Sequence, residues 1–528
     1  MKTLIIALCL AGAALSGAAQ DKPPSALASA PAFDLAADVE RARQRFDIPG
    51  IAIAIVKDGQ VVSASGFGQR RRGAPEPVDG DTQFEIASNS KAFTAVTLAM
   101  LVDEGKLAWD DPVSQHLPDF QMWDPYVTRE MTIRDLLVHR SGLGLGAGDL
   151  MWWPTTTFST DEIIARLRQV RPATSFRSQY AYDNLLYIVA GKIIARKTGQ
   201  SWGESVRARI LQPLGMDGTT VSLDEQAGRA NVAAPHSKID GVNVPVKPMP
   251  VPNAVGAVGI NSSARDLARW LQLLLNEGQR EGGARLYSAR QARELFTLVT
   301  PIRPSEPPAA LAATRANFLG YGLGFQLRDY KGRKLAYHGG ALQGFYTRVV
   351  LVPEAKLGFA ILTNAENASV LNALQYRLLD HYLGGTQNDW IGVMAQQEAE
   401  QHAKEEKRLA AAAAQAKGAQ SRPSLALAAY AGTYEDAWYG KVVIAEEGGS
   451  LVMRFTRTPD LVGRLEHYQY DSFIVRWKER NFNADAYVSF ALDPDGAVER
   501  IRMKAVSSET DFSYDFHDLD LRPVKKKD

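Results

Sequence analysis

The first residues able to do chemistry are Ser88 and Lys91, in the stretch FEIASNSKAFTAVTLAMLVDEG at residues 84–105. Ser88-Asn89-Ser90-Lys91 is the only S-x-x-K in the chain. Ala92, Val96, Ala99 and Met100 follow at helical spacing, and Gly105 stands where a C-terminal cap would end the run. The spacing predicts a buried helix with Ser88 in its first turn. Positions i and i+3 share a helical face, so the Lys91 amine can touch the Ser88 hydroxyl. A free serine hydroxyl is a poor nucleophile. A neighbouring amine can take its proton if burial or another cation lowers the amine's pKa. The helix N-terminus adds unpaired N–H groups and positive potential where an oxyanion would form.

Further candidates lie along the chain. Tyr180-Ala181-Tyr182-Asp183-Asn184 opens an apolar helix at residues 185–197, with Asp183 or Asn184 near its start. A tyrosine hydroxyl can relay protons and an asparagine amide can orient a substrate amide, although Tyr182 taken alone reads as a packing residue. His338-Gly339-Gly340-Ala341 lies between two strand-like runs. Glycines at a strand edge let a ligand or a backbone approach closely, and His338 beside them can donate a hydrogen bond or a proton. His139 closes an expected short helix at residues 132–139 and reads as a hydrogen-bonded structural residue. Ser141 lacks a G-x-S-x-G elbow and is rejected as nucleophile. The Gly-rich, then aromatic, loop at residues 145–157 reads equally as a pocket wall or lid and as a packed loop.

The elements that must position these residues follow from periodicity. Residues 33–46 look helical. Two alternating β-branched runs flank Asp58-Gly59, a strong hairpin signal. Ser262-Ser263 caps a helix that reads RDLARWLQLLL. Residues 321–327, 334–337, 347–352 and 357–362 read as antiparallel strands. Residues 394–420 are rich in Ala, Gln, Glu and Lys, as in a solvated helix or a linker. The short alternating runs that follow, KVVIAEE, LVMRFTR, SFIVRWKE and AYVSFALD, suggest a small antiparallel barrel or sandwich.

A chain of 528 residues, 45% hydrophobic and 23% charged, is an ordinary globular protein with room for two or three domains. A net charge of +1 gives no reason to expect nucleic acid or an anionic membrane surface as partner. Residues 1–20 read as a secretory signal: Lys2, an apolar run, then Gly17-Ala18-Ala19 for cleavage. The apolar run is short for a membrane span. Export to a bacterial periplasm, or secretion, is expected, with no transmembrane span after signal removal. Cys9, inside that signal, is the only cysteine. The mature chain then has no disulfide, thiol nucleophile or cysteine metal site. No phosphate loop, dinucleotide fingerprint or H-E-x-x-H is present, and no cofactor or metal is expected.

Three elements thus stand in one order: Ser88-x-x-Lys91, Tyr182-x-Asn184 and His338-x-Gly340. Together with LLVHRSGL at residues 136–143 and VGINSS at 258–263, they resemble the serine hydrolases of the penicillin-binding protein and class C β-lactamase superfamily. The resemblance runs from about residue 33 to 383. It implies an α+β fold, a five-stranded antiparallel sheet flanked by helices with an all-helical lobe. The tail is similar to the small lipocalin-like β-barrels appended to some of these hydrolases. The organisation expected is a signal at 1–20, a linker at 21–32, a hydrolase domain at 33–390, a linker or helix at 391–423, a barrel at 424–523 and a basic tail at 524–528.

The resemblance also implies roles. Ser88 would be the nucleophile, Lys91 and Tyr182 a coupled acid–base pair, and Asn184 the group that orients the acyl side. His338, Gly339 and Gly340 would edge the sheet, and the N–H groups of Ser88 and Ala341 would form the oxyanion hole. Tyr180 is a rival for the tyrosine role, but only Tyr182 has Asn two residues on. The family's β-lactamases and cell-wall peptidases carry Lys-Thr-Gly where this chain has His-Gly-Gly. A neutral His supplies no fixed charge for a substrate carboxylate. The expected activity is therefore cleavage of a small ester or peptide substrate, with a β-lactamase or D-Ala-D-Ala carboxypeptidase as alternative and a non-catalytic peptide sensor as a further one. The oligomeric state is left open.

Overall fold

The computed structural model describes residues 30–524. The expected signal at 1–20, Cys9, most of the 21–32 linker and residues 525–528 of the basic tail lie outside the described residues. Strand β1 (Gly50–Lys57), GIAIAIVK, is buried on both faces, as a continuous β-branched run must be. It turns through Asp58-Gly59 into β2 (Gln60–Gly68). Both turn residues have positive φ, 52° and 81°, the hairpin geometry that matches strand twist.

The sheet continues with β3 (Thr300–Ile302), β4 (Leu319–Tyr321), β5 (Gln326–Tyr330), β6 (Arg333–Leu342), β7 (Phe345–Val352) and β8 (Leu357–Thr363). Its eight strands run in the order β2-β1-β8-β7-β6-β5-β4-β3, all antiparallel. The short strands β3, β4 and β5 extend it beyond the five that the resemblance implied. The strand expected at 321–327 is in fact two, β4 and β5, broken at a turn through Gly324, whose φ is +83°. That turn presses on the nucleophile helix: a Cβ at Gly324 would lie 3.1 Å from the Lys91 carbonyl oxygen.

Helices α1 (Leu35–Arg45), α2 (Ser90–Asp103), α3 (Leu185–Thr198), α4 (Ala264–Leu275), α5 (Ala368–Leu383) and α6 (Trp390–Ala419) are the longer ones. On one face of the sheet, α1 and α5 bury Val39, Ala42, Leu374 and Leu378 against Ile51, Ile53, Phe359 and Ile361. On the other, α2 and α4 cover Ala52, Ala54, Ala360 and Leu362. Residues 133–139 are turns, not the expected helix. His139 has φ +54°, and the buried Asp135 carboxylate gathers Thr132, Arg140 and Arg177 instead of leaving the backbone to a regular ladder.

After α6 comes a second eight-stranded antiparallel sheet: β9 (Gly432–Asp436), β10 (Gly440–Glu447), β11 (Ser450–Phe455), β12 (Val462–Gln469), β13 (Ser472–Trp477), β14 (Ala486–Leu492), β15 (Val498–Ala505) and β16 (Arg522–Pro523). The order is β15-β14-β13-β12-β11-β10-β9-β16, and a bridge from Ile501 to Leu521 brings the two ends together into a nearly closed barrel. No helix among the described residues is long and apolar enough to cross a membrane.

Candidate active site

Ser88 sits in the 3-10 turn Ala87–Asn89 that leads directly into α2. Ala87, just before it, takes φ +49°, a conformation that L side chains adopt at a cost of about 1–3 kcal/mol and that clusters at functional sites. Every polar side chain on the buried face of α2 finds a partner. Ser90 Oγ accepts from Ile260 N at 2.9 Å and Thr94 Oγ1 donates to Gly256 O at 2.6 Å. Such pairing is what allows a helix with Ser, Lys and Thr to be buried all round.

Lys91 is wholly buried. Its Nζ lies 3.0 Å from Ser88 Oγ, 2.7 Å from Asn184 Oδ1 and 3.3 Å from Ala257 O. Burial pushes the amine down to about 7, with Asp149 and Asp183 opposing that fall. A neutral amine has two N–H donors and a lone pair. Donating to Asn184 and Ala257 turns the lone pair toward Ser88 Oγ, the arrangement in which it can take the serine proton. Asn184 is itself oriented, because its Nδ2 donates to Asp149 Oδ2 at 2.8 Å.

Tyr182 lies over Lys91, with Nζ 4.9 Å from its ring centre. Its hydroxyl sits beside the Ser88 side chain but is buried with no hydrogen bond of normal geometry. Burial pushes this phenol well above its ordinary value of 10.0. Tyr180 turns away, packing edge-on to His139 with ring centres 5.8 Å apart. His139 lies 4.3 Å from the Tyr182 ring, centre to centre, and its Nδ1 accepts from Asp183 N at 3.2 Å. It supports the tyrosine and does not reach Ser88 among its contacts.

Strand β6 forms the facing wall. It pairs with β5 only through Arg333–Tyr337, so residues 338–342 are unpaired on that side while β7 holds the other. Gly340 has no room for a side chain: a Cβ would strike the Ile86 carbonyl and the Thr347 hydroxyl. At Gly339 the nearest atom would be 3.6 Å away, so its lack of a side chain is not demanded by the protein itself. Ala341 is exposed at this open edge. His338 differs from expectation. Its Nδ1 lies 2.6 Å from Gly339 O and its Nε2 2.8 Å from the Tyr321 hydroxyl. The first contact needs the proton on Nδ1, which makes Nε2 an acceptor and leaves the ring no proton to offer a substrate. Burial, followed by the Lys91 charge, pushes it down to about 3, so it is neutral.

Five predicted residues, Ser88, Lys91, Tyr182, Asn184 and His338, therefore come together in one cluster. The Beta-lactamase family model matches residues 35–382, well over half of the chain. The chain belongs to the beta-lactamase family. A domain of unknown function, DUF3471, matches residues 416–523 of this beta-lactamase-family protein and takes in the barrel. The chain is 32% identical over 373 residues to Unguisins hydrolase ungD' of Aspergillus campestris (strain IBT 28561), covering 66% of this chain and 65% of that relative, just under two thirds of its length. It is 30% identical to Penicillin-binding protein 4 of Amycolatopsis lactamdurans, covering 61% of this chain and 84% of that one. Among solved structures, a D-stereospecific amidohydrolase from Streptomyces sp. superposes with a TM-score of 0.52 at 25% identity, over 65% of this chain and 98% of the other.

Several residues of the site carried no local signal. Asp149, wholly buried in the aromatic loop, accepts from Asn184, from Trp152 Nε1 at 2.8 Å and from Ser513 Oγ at 3.0 Å. The loop at 145–157 is thus packed rather than a free lid, and reaches the site through Asp149. Ser513 belongs to the barrel and lies 364 residues from Asp149 in sequence. Phe512 beside it meets the Tyr182 ring edge-on at 5.9 Å. A wide cleft of about 970 Å³ between the β1–β2 turn and α4 contains neither Ser88 nor Lys91, so size alone does not locate the chemistry. Asp515, His517 and Asp518 bring possible metal-ligating atoms within 4.8 Å of one another, but two of the three are exposed and no second feature points to an ion there.

Proposed function

We propose that this protein is an exported serine hydrolase that cleaves a peptide (amide) or ester bond through an acyl-enzyme on Ser88. The observation that carries the reading is the buried Lys91 amine, 3.0 Å from Ser88 Oγ and pushed down to about 7. Near neutral pH that amine is free to act as a base. Ser88 Oγ attacks the substrate carbonyl carbon while its proton passes to Lys91 Nζ, directly or through the Tyr182 hydroxyl. Tyr182, kept a phenol by burial, passes protons rather than resting as an anion. The N–H groups of Ser88 and Ala341, at the open edge of β6, receive the oxyanion. The intermediate collapses, the carbonyl–nitrogen or carbonyl–oxygen bond breaks, and the proton goes to the leaving amine or alcohol. Water then attacks the acyl-enzyme, giving its proton to the same pair, and the acid leaves as Ser88 regains its proton.

Amide substrates are favoured by the likeness to a D-stereospecific amidohydrolase, while the relative named as a hydrolase supports hydrolysis in general. The signal-like residues 1–20 support export. The neutral, fully engaged His338 speaks against a β-lactamase or carboxypeptidase that needs a fixed cation for a carboxylate. The test is a turnover panel on the mature protein: D- and L-amino-acid peptide amides, a short-chain nitrophenyl ester and a chromogenic cephalosporin, with Ser88→Ala as control. Turnover of the amides or the ester, lost in Ser88→Ala, is expected. Turnover that survives Ser88→Ala would refute the nucleophile, and a fast cephalosporin signal would make it a β-lactamase.

A further inference from the structure

We propose that Ser513, supplied by the barrel, is a positioning residue for the Ser88–Lys91 pair, acting through Asp149 and Asn184. The inference rests on the acyl-enzyme reading above. Ser513 is buried and its hydroxyl donates to Asp149 Oδ2 at 3.0 Å. The same oxygen accepts from Asn184 Nδ2 at 2.8 Å, and the other end of that amide, Oδ1, meets Lys91 Nζ at 2.7 Å. The amide can present its oxygen to Lys91 only while its NH2 faces a carboxylate oxygen that accepts. Trp152 holds the second Asp149 oxygen, Oδ1. Ser513 therefore helps to fix both the direction and the acceptor character of Oδ2.

The charge state of Asp149 gives the hydroxyl its leverage. Burial pushes this carboxyl up to about 7, while the hydrogen bonds from Trp152, Asn184 and Ser513 and the charge of Lys91 oppose that rise. The titratable groups facing the pair are Asp183, His139 and His338, near Lys91, and Asp515, near Asp149, whose carboxyl burial pushes well above its ordinary value. Without the Ser513 donor, Asp149 is more readily protonated. A proton on Oδ2 would oppose the Asn184 NH2. An amide that turned to accept it would offer Lys91 a donor in place of an acceptor, and the amine would no longer be held with its lone pair toward Ser88.

The loop that carries Ser513 is seated at both sides. Asp515 Oδ2 accepts from Gly148 N at 2.5 Å, one residue before Asp149. Phe512 packs so closely on Gly146 that a Cβ there would lie 2.7 Å from its ring. Tyr514 packs edge-on to Trp153 at 6.0 Å. Ser513 N donates to Asp511 Oδ1 at 2.8 Å, which tightens the turn.

The test is the second-order rate at which a fluorophosphonate labels Ser88 in the full chain, a readout that does not need the natural substrate. Ser513→Ala, Ser513→Cys and Ser513→Thr are compared, each with its cooperative unfolding transition. Ser513→Ala and the near-isosteric Ser513→Cys, a weak donor, should be labelled at least about tenfold more slowly. Ser513→Thr, which keeps the hydroxyl, should stay within about threefold of the wild type. A Ser513→Cys variant labelled at the wild-type rate would overturn the proposal, as would equal slowing of all three. A wild type that takes no label would instead refute the acyl-enzyme reading, and this inference with it.

Discussion

Burial drives Lys91 and Tyr182 to the same end by opposite shifts: the amine falls to about 7 and the phenol rises well above 10.0, so both favour their neutral forms. The sign of the pH dependence follows. Below about pH 7 Lys91 is an ammonium and cannot take the Ser88 proton, so kcat/KM should rise with pH through that region. Asp149 titrates in the same range, so the limb belongs to the coupled pair rather than to one residue. A pH–rate profile flat from about pH 5 to 9 would contradict the assignment of Lys91 as base. Lys91→Ala and Tyr182→Phe should each lower kcat/KM by about 10²–10⁴-fold. The double variant should be little worse than the poorer single one, because the pair acts as a unit. Additive losses in steady-state kinetics would separate their roles.

At the scale of elements, the site depends on how closely β6 approaches the turn before α2. Gly340 lies against Ile86 O, and Thr347 on the neighbouring strand donates to that same carbonyl at 3.0 Å and accepts from Asn89 Nδ2 at 2.9 Å. Gly340→Ala forces the strand away from Ser88. It should cost about 1–3 kcal/mol of stability in urea unfolding, together with most of the activity. Gly339→Ala, with its added atom 3.6 Å from the nearest neighbour, should leave the unfolding midpoint unchanged and reduce turnover only if substrate runs along that edge. Equal destabilisation by both would show that the wall is set by something other than this contact. Thr347→Val should cost about 1 kcal/mol, because it removes two buried hydrogen bonds while Ile86 O still accepts from Asn89 N at 3.1 Å and from Asn89 Nδ2 at 3.3 Å.

The whole molecule is held by an interface between the barrel and the region around the aromatic loop. Arg457 packs over Phe158 at 4.2 Å, pairs with Glu162 at 2.8 Å, and donates to Thr157 O at 3.0 Å, while its own carbonyl accepts from Thr157 N at 2.8 Å. Arg166 reaches across to Trp438 O at 2.8 Å, and Phe158 meets Tyr439 edge-on. Arg457→Ala should lower stability by about 1 kcal/mol, mainly through the lost cation–aromatic and backbone contacts. The effect is read in thermal unfolding of the full chain, and an unchanged transition would mean that this contact adds nothing to docking. The surface ion pair with Glu162 contributes little by itself.

What could be read from the chain alone was local. Asp58-Gly59 between β-branched runs specified the first hairpin, because that turn type accepts two positive φ angles at matching twist. Apolar spacing after Ser88 specified α2, and the i, i+3 relation placed Lys91 against Ser88. Alternating runs after residue 424 specified an antiparallel β unit. Elsewhere the chain was ambiguous until it was packed. Tyr180 and Tyr182 lie two residues apart and both touch His139, and it is packing that sets Tyr182 beside Lys91, His338 and Phe512 while Tyr180 lies against Tyr321. His338 is committed to Tyr321 and its neighbour's carbonyl by strand pairing. Residues 132–139 have a helical pattern, yet Asp135 draws its hydrogen bonds elsewhere. Asp149 and Ser513 had no motif, since their meeting depends on docking two units whose contacting residues are 364 apart. Periodicity and turn chemistry act over a few residues and can be read in order. The charge and orientation of Lys91 depend on long-range contacts and burial, which only tertiary packing decides.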